Sequence, residues 1–278
     1  MNKRSDKVLS LQIAVLQGFY WMIYCPIISF ASVYLLSKDF SNQKIGWVIA
    51  ISNVLAVILQ PVMGTLADRV TKISLKALLC FLSVLCLAMV AYLIFFDLGF
   101  FWLTVLYVGI IALLLTMVPL VNALTFRYIN AGHNVSFGMT RAMGSICFAV
   151  LSTLLGIWVN RFSPEILPVI CAILLTGLII IVLSFPKVGK QEVSLSHNEP
   201  PLNPHSHAPA AGFLTKYERF LPLLIGIACL FIFHTVVNAF LPQIITSVGG
   251  RETDLGVSLT IAALCELPAF FGFSYLVS

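Results

Sequence analysis

Eight long apolar stretches, separated by short polar segments, dominate the pattern of the sequence. Each stretch is about 20 residues or longer, the length that an α-helix needs to cross the hydrocarbon core of a bilayer. Segments embedded in lipid are helical because a helix satisfies its backbone hydrogen bonds internally. The predicted spans are 9–36, 45–66, 74–96, 99–124, 138–160, 165–185, 220–247 and 255–277. The sequence therefore predicts an all-α, polytopic membrane protein.

The segment 186–218 departs from this pattern, because it is rich in Pro, Ser, Asn and His and almost free of large apolar residues. Such a segment cannot bury a core, so we expect a flexible linker. It separates a domain of residues 1–185, with six spans, from residues 219–278, with two. Its histidines (His197, His205 and His207) have no companion cluster of acids or cysteines, so a solvated linker is favoured over a metal site.

Lys and Arg are distributed unevenly between the two sides of the predicted spans. With the N-terminus inside, the inner segments carry Lys3, Arg4, Lys7, Arg69, Lys72, Lys76, Arg127, Lys187, Lys190, Lys216 and Arg219, and the outer loops carry Lys38, Lys44, Arg161 and Arg251. Because cytoplasmic loops are enriched in these cations, the N-terminus and the linker are expected in the cytoplasm, and the protein in the cell membrane. The same bias explains the net charge of +5 without a nucleic-acid partner.

The composition agrees with a lipid environment. The chain has 278 residues, of which 60% are hydrophobic and 10% charged, whereas a soluble domain carries about 25% charged residues. Its seven cysteines lie in apolar segments without a Cys-x-x-Cys pair, so neither a disulfide nor a metal site is expected. The basic N-terminus precedes an apolar run that is too long for a signal peptide, so this run is expected to remain as the first span. Phosphate-loop, zinc-protease and nucleophile-elbow motifs are absent, so neither an enzyme nor an ATP-driven pump is predicted.

Apart from residues at the ends of spans, two ionisable side chains lie well inside the apolar stretches: Arg141 and Glu266. A charge at the centre of a span costs about 2.5–3.5 kcal/mol on insertion scales, so such residues usually face a wet cavity and have a function. The alternative is that Arg141, near one end of its helix, extends its charged head to the membrane surface. Both residues are therefore candidates for a site.

The segment from Pro61 to Lys72 contains the pattern Gly-x-x-x-Asp-Arg at Gly64, Asp68 and Arg69. Between two spans, it resembles the loop signature of the major facilitator superfamily. Six spans, a linker and further spans also resemble that family's layout of two six-helix halves around a cavity. The resemblance implies a complete N-terminal six-helix bundle and only two helices of the C-terminal bundle, so a truncated transporter is expected. It also implies a tight turn at Gly64 and a conformational latch formed by Gly64, Asp68 and Arg69.

The run Phe137-Gly138-Met139-Thr140-Arg141-Ala142-Met143-Gly144-Ser145 resembles the fifth-helix motif of the lactose permease-like oligosaccharide:proton symporters. In that group the Arg binds sugar hydroxyls through its forked guanidinium, and an aromatic residue two turns later stacks on the sugar. The resemblance implies these roles for Arg141 and Phe148. Because Phe148 stands where the group has Trp, simple packing is the alternative.

Two further positions follow from the same resemblance. Asn122 stands where the sugar permeases carry an acid, and Glu266, ten residues after Gly256, resembles a cavity-lining Glu of the eighth helix. A desolvated carboxyl has a raised pKa, so Glu266 is implied to couple proton and solute movement, with the proton as coupling ion and no other cofactor. Asn122 cannot neutralise Arg141, which keeps an anionic solute open, as in the related phenylpropionate transporters.

Polar residues on other spans could line the same cavity. His234 and Asn238 lie four residues apart, on one face of the seventh span; modest interhelical hydrogen bonding is the alternative. Gln17, Tyr20 and Tyr24 repeat at near-helical spacing on the first span, where Tyr20 is a candidate for solute binding and packing is the alternative.

Three hypotheses about function remain open at this stage. The first is a proton-coupled symporter of a small polar solute, a sugar or an oligosaccharide, that works by alternating access as a monomer, with the solute and the lipid bilayer as its partners. The second keeps the fold but makes the protein an importer of aromatic or other organic anions, or a sugar exporter. The third is a truncated chain with no transport activity of its own.

Overall fold

A computed structural model describes residues 3–69, 74–186 and 220–276, and its regular structure within these ranges is entirely helical. The helices are α1 (Lys3–Tyr24), α2 (Ala31–Ser37), α3 (Asn42–Arg69), α4 (Leu75–Phe95), α5 (Phe100–Asn130), α6 (Phe137–Arg161), α7 (Ile166–Ser184), α8 (Phe220–Ser247) and α9 (Glu252–Leu276), with a π-helical turn at Cys25–Ser29. Eight helices in the described part of the chain are long and apolar enough to cross a membrane. Apart from Pro186, the predicted linker lies outside the described residues.

The predicted spans agree with the observed helices to within three residues at each end, except for two spans. The stretch 9–36 is interrupted by the π-helical turn and resumes as α2. Helix α5 continues to Asn130, six residues beyond the predicted end at 124. It continues because Leu124, Thr125 and Tyr128 remain buried against neighbouring helices, so packing extends the helix past its apolar segment. Asn122 consequently lies well inside α5.

The interruption of the first span lies at a proline. Pro26 has no N–H to donate, and the chain widens there into a turn in which the N–H of Phe30 donates to the carbonyl of Cys25 at 3.0 Å. In lipid, carbonyl groups released by such a turn need other donors. Tyr107, fully buried on α5, donates its hydroxyl to the carbonyl of Ile27 at 3.0 Å. The break is therefore stabilised from a neighbouring helix.

Two helices begin at serine caps. The Ser74 hydroxyl accepts from the N–H of Ala77 at the start of α4, and that of Ser136 accepts from the N–H of Met139 at the start of α6. These bonds satisfy backbone donors that the first turn leaves free. The cap at Ser136 defines the start of the helix that carries Arg141.

The first seven helices surround one apolar core, in which α1 contacts α6 and α7, α3 contacts α5, and α4 contacts α5 and α7. Helix α9 packs along α6, and this is the most extensive contact between the first six spans and the last two. Helix α8 touches the rest through the end near Ser247, where the Ser32 hydroxyl donates to the carbonyl of Ala239. Among the described residues of α8, Pro242 is the one that is buried.

Small and hydroxylated residues form the crossing of α6 and α9. The Thr260 hydroxyl of α9 lies 2.9 Å from the Ser152 oxygen and 2.6 Å from the Thr153 oxygen, and it contacts the carbonyl of Ala149 at 2.8 Å. Small residues let two membrane helices approach closely, and hydroxyls then bond across the contact. This crossing places Glu266 of α9 beside Arg141 of α6.

Candidate functional site

Arg141, one turn into α6, is the centre of a polar cluster. Its side chain is 16% exposed. One guanidinium nitrogen, Nη1, donates to the Ser145 hydroxyl at 3.0 Å. The guanidinium carbon lies 3.9 Å from the ring centroid of Trp21, on α1, and 4.9 Å from that of Phe270, on α9. Aromatic faces attract cations, so rings from two other helices stabilise the charge while its N–H groups remain donors.

Glu266 approaches Arg141 from α9. Its Oε2 atom lies 4.0 Å from Arg141 Nη2 and accepts a hydrogen bond from the Ser145 hydroxyl at 3.3 Å. Ser145 therefore bridges the two charges, accepting from the guanidinium and donating to the carboxylate. Opposite charges held this close reduce the cost of placing either one in a membrane span. The Glu266 side chain is nevertheless 51% exposed, so neighbouring protein groups cover only about half of it.

A second chain of hydrogen bonds runs from α5 through α1 to the same cluster. The Gln17 side chain, fully buried, donates through Nε2 to Asn122 Oδ1 at 3.3 Å. Its other amide atom, Oε1, accepts from Trp21 Nε1 at 3.2 Å. Because Trp21 in turn contacts Arg141, polar groups on α5, α1, α6 and α9 form one connected arrangement. Asn122 therefore belongs to the cluster through Gln17.

The remaining predicted solute-binding residues have their described hydrogen bonds and packing contacts outside the cluster, apart from contacts of Tyr20. The Tyr20 hydroxyl, buried, donates to the carbonyl of Leu114 on α5 at 2.8 Å, although the Tyr20 ring meets that of Trp21 edge-on. Phe148 is half-buried and packs against the apolar core. On α8, Asn238 donates to the carbonyl of His234 at 2.8 Å, and His234 is exposed. Tyr20 interacts electrostatically with Arg141, whereas the described contacts of Phe148, His234 and Asn238 do not include Arg141 or Glu266.

The expected tight turn at Gly64 is wrong. Gly64 lies inside α3, which continues to Arg69. A β-carbon at Gly64 would meet no atom within 4 Å, so no close contact requires glycine there. A helix accommodates an isolated glycine at a penalty of about 1 kcal/mol, and here the helix continues through it. The side chains of Asp68 and Arg69 lie outside the described part of the chain.

Sequence reasoning assigned no role to Ser145, Trp21 or Phe270. Each lies four residues after a polar residue that the same reasoning singled out: Arg141, Gln17 and Glu266 respectively. Residues four apart lie on one face of a helix. This spacing is the signal that would have found all three.

The model of the MFS_1 like family matches residues 13–278, nearly the whole chain. A crystal structure of a mutant of the nucleoside transporter NupG superposes with a TM-score of 0.70 at 16% sequence identity, and the match covers 97% of this chain and 68% of that one. At this identity the likeness concerns the fold. No curated protein matches the sequence.

Proposed function

The chain belongs to the MFS_1 like family, and on this premise we propose that it carries a neutral, hydroxylated solute with a sugar ring, coupled to proton movement. Family and fold identify a multi-pass membrane protein that is a transporter and not an enzyme. The choice of solute rests on a single observation. The Ser145 hydroxyl lies 3.0 Å from Arg141 Nη1 and 3.3 Å from Glu266 Oε2, so donors and an acceptor are close enough together to contact neighbouring hydroxyl groups of one solute.

This arrangement suits neighbouring hydroxyl groups better than a carboxylate. A hydroxyl can accept from the guanidinium of Arg141 while it, or its neighbour, donates to Glu266. An anion placed about 4 Å from both charges gains about 4 kcal/mol from Arg141 and loses as much to Glu266, at an effective dielectric constant of 20. The geometry therefore favours a neutral sugar over the organic anion that the missing acid at Asn122 had left open.

Glu266 is the proposed coupling residue. A proton on its carboxyl group removes the negative charge beside Arg141, while the protonated carboxyl still accepts a hydrogen bond from a solute hydroxyl and can also donate one. Glu266 belongs to α9 and Arg141 to α6, so the protonation state also changes the attraction between the first six spans and the last two. Solute binding and protonation then bias the same conformational equilibrium, as alternating access requires.

A nucleoside is the second candidate solute. NupG, to which the fold is similar, is a nucleoside transporter. A ribose offers neighbouring hydroxyls to the same three residues, and a flat base suits the aromatic rings of Trp21 and Phe270 that adjoin Arg141. The two candidates share the recognition of a sugar ring and differ in what is attached to it.

The test is uptake of labelled disaccharide, nucleoside and phenylpropionate by cells expressing the chain, at acidic and alkaline external pH. We expect uptake of one neutral solute that acid stimulates, loss of the acid stimulation in Glu266→Gln, and loss of uptake in Arg141→Gln. Glu165→Gln, which changes a carboxyl 69% exposed outside the spans, is the matched control and should behave as the parent. Uptake of phenylpropionate alone, or acid stimulation unchanged in Glu266→Gln, would contradict the proposal. Absence of any uptake would favour a chain that needs further segments or a partner.

The proposal also covers the orientation of the chain in the membrane, its division into two units, and the residues that stabilise one conformation. We propose that the N-terminus and residues 186–218 face the cytoplasm, that residues 1–185 and 219–278 move as separate units, and that Asp68 and Arg69 stabilise one state at the cytoplasmic side. The cation bias and the family's loop pattern support these assignments. Protease cleavage within the linker from the inner side alone would support the orientation, and cleavage from outside would refute it.

A further inference from the structure

Trp21 carries no charge, but it contacts Arg141 and is itself held by contacts with Gln17 and Gly144. Its ring centroid lies 3.9 Å from the guanidinium carbon of Arg141. An arginine side chain has several rotatable bonds and loses much conformational freedom when it is held in one position. A face-on aromatic ring attracts the guanidinium and limits the directions in which it can point. Trp21 is therefore placed to orient Arg141 before a solute arrives.

Space for the indole is provided by Gly144, three residues after Arg141 on α6. A β-carbon at this position would lie 2.6 Å from Trp21 Cδ1 and 3.4 Å from the backbone oxygen of Gln17. An alanine would therefore push the indole away from its observed position. The close approach of α1 and α6 at Gly144 is what brings the Trp21 ring over the guanidinium.

Two amides then set the rotation of the indole. Gln17 accepts from Trp21 Nε1 at 3.2 Å through its oxygen, and its nitrogen donates to Asn122 Oδ1 at 3.3 Å. The indole N–H of Trp21 can only donate, so the oxygen of the Gln17 amide must face it, because a reversed amide would set two donors against each other; Asn122 accepts from the other end of that amide. Gln17 is fully buried, so its own amide atoms are not accessible to solvent.

We propose that Trp21 is a positioning residue that holds the guanidinium of Arg141 with its N–H groups directed at the solute, and that Gln17 and Asn122 act through Trp21. This inference rests on the proposed function, because it takes Arg141 as the group that contacts the solute. It also changes the role of Asn122 from a solute ligand to the outermost support of Arg141.

The first arm of the test needs no solute. In a variant whose other tryptophans (Trp47, Trp102 and Trp158) are replaced by Phe, the fluorescence of Trp21 reports on its contact with Arg141. We expect Arg141→Gln to change the emission intensity or maximum in lipid nanodiscs, and Arg161→Gln, near the other end of α6, to leave it unchanged. Identical emission with and without the guanidinium would overturn the inference, whatever the protein transports.

The second arm separates the aromatic face from side-chain bulk. Trp21→Phe retains a ring face, and Trp21→Leu retains bulk without one. For the solute identified by uptake, we expect KM within about threefold of the parent in Trp21→Phe and raised about tenfold or more in Trp21→Leu, with a smaller change in kcat. Trp102→Phe, at a tryptophan that is 62% exposed, is the control.

Gly144→Ala provides an independent variant if Trp21→Leu does not fold, because it displaces the indole without removing any polar side chain. We expect it to raise KM and to shift the Trp21 emission towards that of Arg141→Gln. Unchanged KM and emission in Gly144→Ala, or a Trp21→Leu protein with the parent's KM, would overturn the positioning role. An emission change without uptake of any sugar or nucleoside would leave the contact supported and reject the proposed function instead.

Discussion

Gly156→Ala tests the packing of α9 against α6, on which the position of Glu266 depends. A β-carbon at Gly156 would lie 2.6 Å from the carbonyl oxygen of Glu252, 3.1 Å from Thr253 Cα and 3.2 Å from Gly256 Cα. All three are backbone atoms of the first turns of α9, so no side chain can rotate away. Ordinary contact begins at 3.4 Å, and α6 and α9 must therefore separate by about 0.8 Å at this point.

Two opposing terms determine the size of the effect. Alanine is favoured over glycine in a helix interior by about 0.8–1.0 kcal/mol. Insertion of a methyl group into a close-packed contact costs about 1–3 kcal/mol. Separation of the helices also lengthens the Thr260 contacts with Ser152 and Thr153, and hydrogen bonds between membrane helices contribute about 0.6 kcal/mol each. We expect a net decrease of about 1–2 kcal/mol in the free energy of unfolding.

The measurement is unfolding of the purified protein by a denaturing detergent in mixed micelles, followed by tryptophan fluorescence. Gly226→Ala is the matched control, since Gly226 lies inside α8 and a β-carbon there would meet no atom within 4 Å. The helix-propensity term is then unopposed, and this variant should be as stable as the parent or more stable. A Gly156→Ala protein that is no less stable than the parent would refute the close contact between α6 and α9.

Three further predictions concern stability. Thr260→Val removes the hydroxyl that joins α9 to α6 and should lower the free energy of unfolding by about 1–2 kcal/mol, measured as above. Tyr107→Phe leaves the carbonyl of Ile27 without its donor and should cost about 1 kcal/mol. The hydrogen bond and charge of Lys38 lower the pKa of Glu165, so the pair stabilises the fold above the ordinary pKa of the carboxyl, and this contribution is lost as pH falls through the lowered pKa. Lys38→Met should therefore lower the free energy of unfolding by less than about 1 kcal/mol at neutral pH and match the parent in acid.

Controls for these variants come from similar side chains in other surroundings. Thr176, whose hydroxyl bonds within its own helix, should tolerate valine, and Tyr92, which is 46% exposed, should tolerate phenylalanine. Equal losses at Thr260 and Thr176, or at Tyr107 and Tyr92, would show that the assigned hydrogen bonds do not decide stability. A Lys38→Met effect that persists unchanged below the pKa of Glu165 would exclude the ion pair as its cause.

Arg141 and Glu266 could be singled out from the sequence because charged residues are rare within apolar spans and expensive there. Ser145, Trp21 and Phe270 could not be selected with the same certainty, because hydroxylated and aromatic residues are common in membrane helices. His234 and Asn238 illustrate the reverse case: their spacing places both on one helical face, yet Asn238 bonds to the backbone of its own helix. The predicted end of α5 came too early, because the apolar segment ends before the face of the helix that is buried against its neighbours.

The sequence by itself determined that the chain is a membrane protein of eight helical spans and that two charges lie within them. Hydropathy is a local property of the sequence. Because the bilayer core contains no water, an apolar span forms a helix, in which the backbone N–H and C=O groups bond to each other. Only the tertiary structure decided which groups meet: Gln17 with Asn122, 105 residues apart, and Ser145 with Glu266, 121 residues apart. The rotation of each helix and the distance between neighbours follow from close packing at positions such as Gly144 and Gly156. Those contacts arise between distant parts of the chain, which the periodicity of one segment does not specify.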